Sequence, residues 1–142
     1  MKLKFIILLF SFYFSILNIA VADIYIITNK ITTKNSITKK ELAAIYLLKK
    51  GYWADGNIII PLNLSAQSTL REQFSQKIFK RSTREMGSYW NKMAFQGLNP
   101  PLTQASEQAV LLFIQRVPNS VAYMGHKPNS DQVKVLLKLR NN

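Results

Sequence analysis

The stretch NLSAQSTLREQF, Asn63 to Phe74, decides how this chain is read. An apolar run, Ile58 to Leu62, leads directly into it and reads as a strand stopped by Pro61. Leu70, Phe74 and Ile78 then recur every fourth residue, which predicts a helix from about Ala66 to Phe79. A strand that feeds a helix places the unpaired first amides of that helix at the strand's carboxyl end. That is where α/β sheets take ligands, and where an anion meets a partial positive charge. Ser65, Ser68 and Thr69 add hydroxyls, and Arg71 adds a planar fork suited to phosphate, sulfate or carboxylate. The same residues have a purely structural use. Thr69 and Glu72 stand at capping-box spacing, and Arg71 can pair with Glu72 or Glu85 or face solvent. Local chemistry alone leaves both uses open.

Upstream, DIYIIT (Asp23 to Thr28) is short, continuous and β-branched, as a strand covered on both faces should be. TKKELAAIYLLKKG follows a polar loop with helix punctuation: Thr38 and Glu41 at capping-box spacing, Leu42, Ile45 and Tyr46 on one face, and Gly51 as the stop. YWADGN is a turn pivoting on Asp55-Gly56. Downstream, Ser82 and Glu85 open a helix with Met86, Tyr89 or Trp90, and Met93 along one side. GLNPP breaks the chain, Ser106 starts a further helix with Ala109, Leu112 and Phe113 inward, and Val121–Tyr123 and Val133–Leu139 read as closing strands. The expected order is β-α-β-α-α-α-β-β, an α/β layered domain. No internal repeat or low-complexity linker interrupts it.

The first 22 residues stand apart from this domain. Lys2 and Lys4 precede an apolar run from Phe5 to Leu17, and Ala20-Val21-Ala22 supplies a small-x-small site, the layout of a cleaved secretory signal peptide. The expected division is therefore a signal peptide over 1–22 and one domain over 23–142. The whole chain carries 19 basic and seven acidic residues, for a net charge of +12. Cleavage removes two of the lysines and leaves 120 residues with 17 basic against seven acidic, a net +10. Such a charge attracts acidic partners. For an exported protein these are anionic solutes, headgroups, wall polymers or an acidic protein, and nucleic acid is not expected.

The chain has no cysteine and a single histidine, His126. Thiolate metal sites are excluded, and a zinc site from one histidine and seven scattered carboxylates is not expected. No Gly-x-Ser-x-Gly elbow, Gly-rich phosphate loop or His-Glu-x-x-His is present. A hydrolase would need His126, beside Gly125 and Lys127 in a loop, as its base. The chain reads as a non-enzyme without a cofactor.

Beyond local chemistry, the ordered set of motifs resembles the phosphate-binding-protein-like family of periplasmic solute-binding proteins. The set comprises Ser36-Ile37-Thr38, Leu42, Ile45-Tyr46, Lys49 or Lys50, Trp53-Ala54-Asp55-Gly56 and Ser68-Thr69-Leu70-Arg71-Glu72-Gln73-Phe74. Tyr89-Trp90, Phe95-Gln96-Gly97, Pro100-Pro101 and Pro118-Asn119-Ser120-Val121-Ala122-Tyr123 follow in the same order. The resemblance implies a type 2 periplasmic-binding-protein fold, a periplasmic location, and binding of phosphate or a related anion for transport or sensing, with a membrane transporter as partner. Ser68, Thr69 and Arg71 are the contacts it carries over, and Ser65 is added by local chemistry. Two departures stand out. Only about one lobe of the two-lobed family is present, so a homodimer could supply the second wall. The family's Ser-Gly-Thr turn is Ser68-Thr69-Leu70 here, and the glycine of its Gly-Tyr strand is Ala122. Lost glycines restrict close backbone approach to an anion. They leave room for the alternative of an envelope interaction module that keeps the fold without tight ligand binding.

Overall fold

The computed structural model describes residues 22–141. The proposed signal segment, apart from Ala22, lies outside the described residues. The elements are β1 (Ile24–Asn29), α1 (Lys39–Tyr46), β2 (Ile60–Leu64), α2 (Thr69–Phe79), α3 (Thr83–Ala94), β3 (Leu102–Gln104), α4 (Glu107–Arg116), β4 (Ser120–Met124) and β5 (Val133–Leu139). They build one five-stranded sheet in the order β3-β2-β4-β1-β5. β2 runs parallel to β3 and β4, while β1 runs antiparallel to both β4 and β5. Four strands therefore share one direction, and β1 alone opposes them. This is the expected α/β single-lobe layout with one strand added.

The added strand is β3, three residues whose first two are exposed. Placed after GLNPP and too short to show alternation, it has no periodic signal to betray it. β2 is also displaced from the expected Ile58–Leu62. Ile58 is instead paired with Tyr52 in an isolated antiparallel bridge, and both side chains are exposed. β2 begins at Ile60 and continues through Pro61. Pairing with β3 starts only at Leu62, so Pro61 lies where β2 has β4 alone beside it. The missing N–H is tolerated near the start of a strand.

The caps mostly follow the spacing. Ser82 and Glu85 form a full capping box, and Ser106 Oγ accepts from Ala109 N. Thr38 Oγ1 accepts from Glu41 N, but the Glu41 carboxylate does not return to close the box; it binds Lys34 at 3.0 Å and Lys50. α1 ends at Tyr46 rather than running on to Gly51. Leu48 takes the left-handed conformation (φ 56°). Its N–H returns to the Ile45 carbonyl, and that of Lys49 to the Ala44 carbonyl, a Schellman closure without glycine.

The core centres on β1, β2 and β4 and the inward faces of the helices. Phe74 of α2 stacks on Tyr123 of β4 at 3.9 Å between centroids, with the planes 7° apart, and Tyr46 of α1 tilts against Phe74 at 4.8 Å. Met86 and Trp90 are the buried apolar positions of α3. α4 is turned by one residue from expectation: Val110 and Ile114 are buried, and Leu112 is exposed. Its apolar run Ala109–Ile114 is nearly continuous, so composition does not fix which side faces the sheet.

Candidate anion-binding site

Because β2, β3 and β4 are parallel, their carboxyl ends lie on one side of the sheet. The β2 end delivers Ser65–Ser68 and then α2. Ser68 is the N-cap, and its Oγ accepts from Arg71 N at 3.3 Å. The cap expected at Thr69 therefore falls one residue earlier. Ser65 Oγ donates to Gln67 Oε1 at 2.5 Å and accepts from Gln67 N at 3.4 Å, closing the loop on itself. Thr69 is exposed, and its hydroxyl has no partner among the described residues. Ser65, Ser68, Thr69 and Arg71 thus share one strand-to-helix junction, with two of the three hydroxyls engaged in local bonds.

Arg71 is half-buried. Its Nη1 donates to the Leu64 carbonyl at 2.7 Å, which folds the side chain back over the end of β2. The expected alternatives, pairing with Glu72 or Glu85, do not occur. Glu72 accepts from Thr83 N at 2.8 Å and from Gln76 Nε2 at 3.0 Å, tying α2 to the start of α3. Glu85 accepts from Ser82 N at 2.6 Å. These hydrogen bonds, the backbone N–H first in each case, hold both carboxyls below their ordinary range. Among the described residues Arg71 has no carboxylate partner. A half-buried cation without a counter-ion is the feature an anionic ligand would complete.

The residues around the junction are rigidly held. Tyr46 Oη donates to the Leu62 carbonyl at 2.7 Å. Tyr123 Oη donates to Asn63 Oδ1 at 2.7 Å and accepts from Leu64 N at 3.2 Å. Burial pushes both phenols well above their usual range, so they remain neutral hydrogen-bonding groups. Asn63, Tyr46 and Trp90 line a crevice of about 10 Å³ together with Arg71, between β2, α1, α2 and α3. The opening sequence pattern pointed at the hydroxyls and did not single out Asn63 or Trp90. A polar residue inside the apolar run of β2 was the signal available for Asn63.

Beyond β4, Gly125 N donates to Glu107 Oε2 at 2.8 Å, and His126 Nδ1 lies 3.3 Å from the same oxygen. Glu107, the first residue of α4, thereby ties that helix to the turn after β4, with the exposed His126 beside its carboxylate. Among the described residues, no group of three or more histidines, cysteines or acids is placed to hold a metal, and no helix is long and apolar enough to cross a membrane.

No protein-family model matches the sequence, and no curated protein matches it either. Solved structures do match. One is a protein assigned as a phosphate ABC transporter substrate-binding protein, from Clostridium perfringens, with bound phosphate. It superposes with a TM-score of 0.65 at 18% identity over 82% of this chain and 45% of its own. The chain has the single-lobe fold of a periplasmic-binding-protein-like domain. An ABC-type phosphate transport receptor from Vibrio cholerae superposes with a TM-score of 0.64 at 16% identity, over 82% of this chain and 46% of its own. The chain thus spans a little under half the length of either neighbour. Both neighbours are described as transport proteins rather than enzymes.

Proposed function

We propose that this chain is an exported solute-binding protein, not an enzyme, and that it takes phosphate or a related small oxyanion at the β2–α2 junction for transport or sensing. The observation that carries this is Arg71: half-buried, anchored to the Leu64 carbonyl and without a carboxylate partner among the described residues. Arg71 supplies the charge, Thr69 a free hydroxyl, and Ser65 and Ser68 the ordered turn beside the first amides of α2. The apparent signal segment over 1–22 would deliver the domain to the periplasm. There it would hand solute to a membrane ABC transporter, in keeping with what the two neighbours are said to do. A second copy of the chain would supply a second wall. One wall alone leaves an anion in water, where ionic contacts are weak.

The deciding experiment is calorimetric titration of the mature chain with inorganic phosphate, against sodium chloride at matched ionic strength. Saturable binding that is lost in Arg71→Ala supports the assignment, and a phosphate response no larger than that to chloride overturns it. An envelope interaction module is the second reading. It is favoured by the exposed apolar side chains Ile31, Tyr52 and Ile58, which lie away from the β2–α2 junction. Cross-linking in cells would recover its protein partner. Recovery of no partner from a chain that binds phosphate tightly would dismiss it.

A further inference from the structure

We infer that the crevice between β2, α2 and α3 receives one oxygen atom of the bound anion, with Asn63 and Trp90 donating to it alongside Arg71. This rests on the anion-binding reading above and names the residues that would hold the ligand.

The crevice has about 10 Å³ of free space, room for one water-sized atom and no more. Three side chains with unused donors line it. Asn63 is 8% exposed. Its orientation is fixed by Tyr123, whose hydroxyl accepts from Leu64 N and so gives its single proton to Asn63 Oδ1. The Asn63 amide nitrogen is thereby left with no partner among the described residues. Trp90 is 7% exposed, and its indole N–H likewise has none. Arg71 uses Nη1 on the Leu64 carbonyl, and its remaining N–H groups find no acceptor among the described residues. No carboxylate lines the space.

Asn63 and Trp90 are both more than nine-tenths buried, and each carries an N–H group without an acceptor among the described residues. Beside a guanidinium that has no carboxylate partner, these donors suit an unprotonated oxygen. Phosphate, sulfate and carboxylate oxygens satisfy it, whereas an ammonium or other pure donor does not. Phe74 and Met86 add apolar walls to the same space. Asn63 and Trp90 therefore recognise the anion, and the hydroxyls of the α2 turn contact its outer oxygens.

Two variants isolate the donors. Asn63→Asp keeps the acceptor that Tyr123 needs and exchanges the amide NH₂ for an oxygen. Trp90→Phe removes only the N–H and part of the ring. Titrated with inorganic phosphate and with inorganic sulfate, each variant should bind about tenfold more weakly or worse, the loss expected for a hydrogen bond to a charged group. In the wild-type chain the indole N–H resonance of Trp90 should move on adding phosphate while that of Trp53 stays in place. If Arg71→Ala abolishes binding but both variants bind like wild type and the Trp90 resonance does not move, the anion site stands and this assignment falls. If neither anion binds the wild-type chain, both fall together.

Discussion

Arg71 Nη1 donates to the carbonyl of Leu64 at 2.7 Å, so the cation of α2 closes over the last residue of the strand that precedes it. One bond links the two elements and leaves the rest of the guanidinium available. The structural bond of Arg71 therefore leaves donors over for the ligand proposed above.

Arg71→Ala should then show two separable effects. In plain buffer it loses a charge-assisted bond to a carbonyl at a half-buried position and should cost about 1–2 kcal/mol. Saturating phosphate at about a hundred times its dissociation constant should stabilise the wild-type chain by roughly 2.7 kcal/mol and the variant not at all. Thermal melts with phosphate and with chloride distinguish the two. An equal phosphate response in both proteins would remove Arg71 from the site.

Tyr123→Phe tests the buried network that fixes Asn63. The ring stack on Phe74 survives, but Asn63 Oδ1 and Leu64 N both lose their partner. A loss of about 1–3 kcal/mol is expected in urea unfolding. A variant as stable as wild type would mean that the side chains find other partners, and that Asn63 is not held by Tyr123.

Ser82→Ala removes one half of the capping box at the start of α3 and should cost about 1 kcal/mol, within a range of about 0.5–2. The matching change at α1, Thr38→Ala, should cost a similar amount, because each substitution removes one hydroxyl acceptor from the third amide of its helix and leaves the backbone amide of the cap in place. Denaturation midpoints of the two variants give the comparison, and an unchanged midpoint in either would contradict it.

Acid should destabilise the protein through its paired carboxylates. Burial of Glu41 works against its ionisation, but Lys50 and Lys34 together outweigh it and hold the carboxyl below the ordinary range. The Lys138 ammonium and the Asn141 amide do the same for Asp23. A folded pKa below the unfolded one gives stability that is complete above the unfolded value. It is lost as pH falls through the folded one. The melting temperature should therefore stay level from about pH 8 to 5 and fall below about pH 4.5. Glu41→Gln should melt lower than wild type at pH 7 and lose less on acidification. Parallel melting curves for the two proteins across that window would show that the lysine pairs contribute nothing.

The strand-to-helix junction, the caps at Ser82 and Ser106 and the α/β layering were legible because each rests on local chemistry. Ser82 with Glu85 and the four-residue recurrence of Leu70, Phe74 and Ile78 carry their meaning within a few residues. What escaped depends on distant partners. β3 is a strand only because Leu62, Asn63 and Leu64 lie beside it. The end of α1 is a local exception: the left-handed Leu48 closes the helix three residues before Gly51, at a position where glycine is the favoured residue. The phase of α4 is chosen by the sheet against which Val110 and Ile114 pack. Asn63 and Trp90 were hidden for the same reason: one lies on β2 and the other on α3, and only the tertiary fold brings them to one crevice.

β1 sits inside the sheet between β4 and β5, and Ile24 faces Leu139 across it. Both strands that pair with the first strand are therefore made late in synthesis. A growing chain that has reached α3 has no neighbour to offer β1, and closing so long a loop carries an entropic cost that only the completed sheet repays. The polypeptide should stay open until β5 has left the ribosome, and then fold slowly as one unit. A chain truncated before Val133 should remain protease-sensitive throughout.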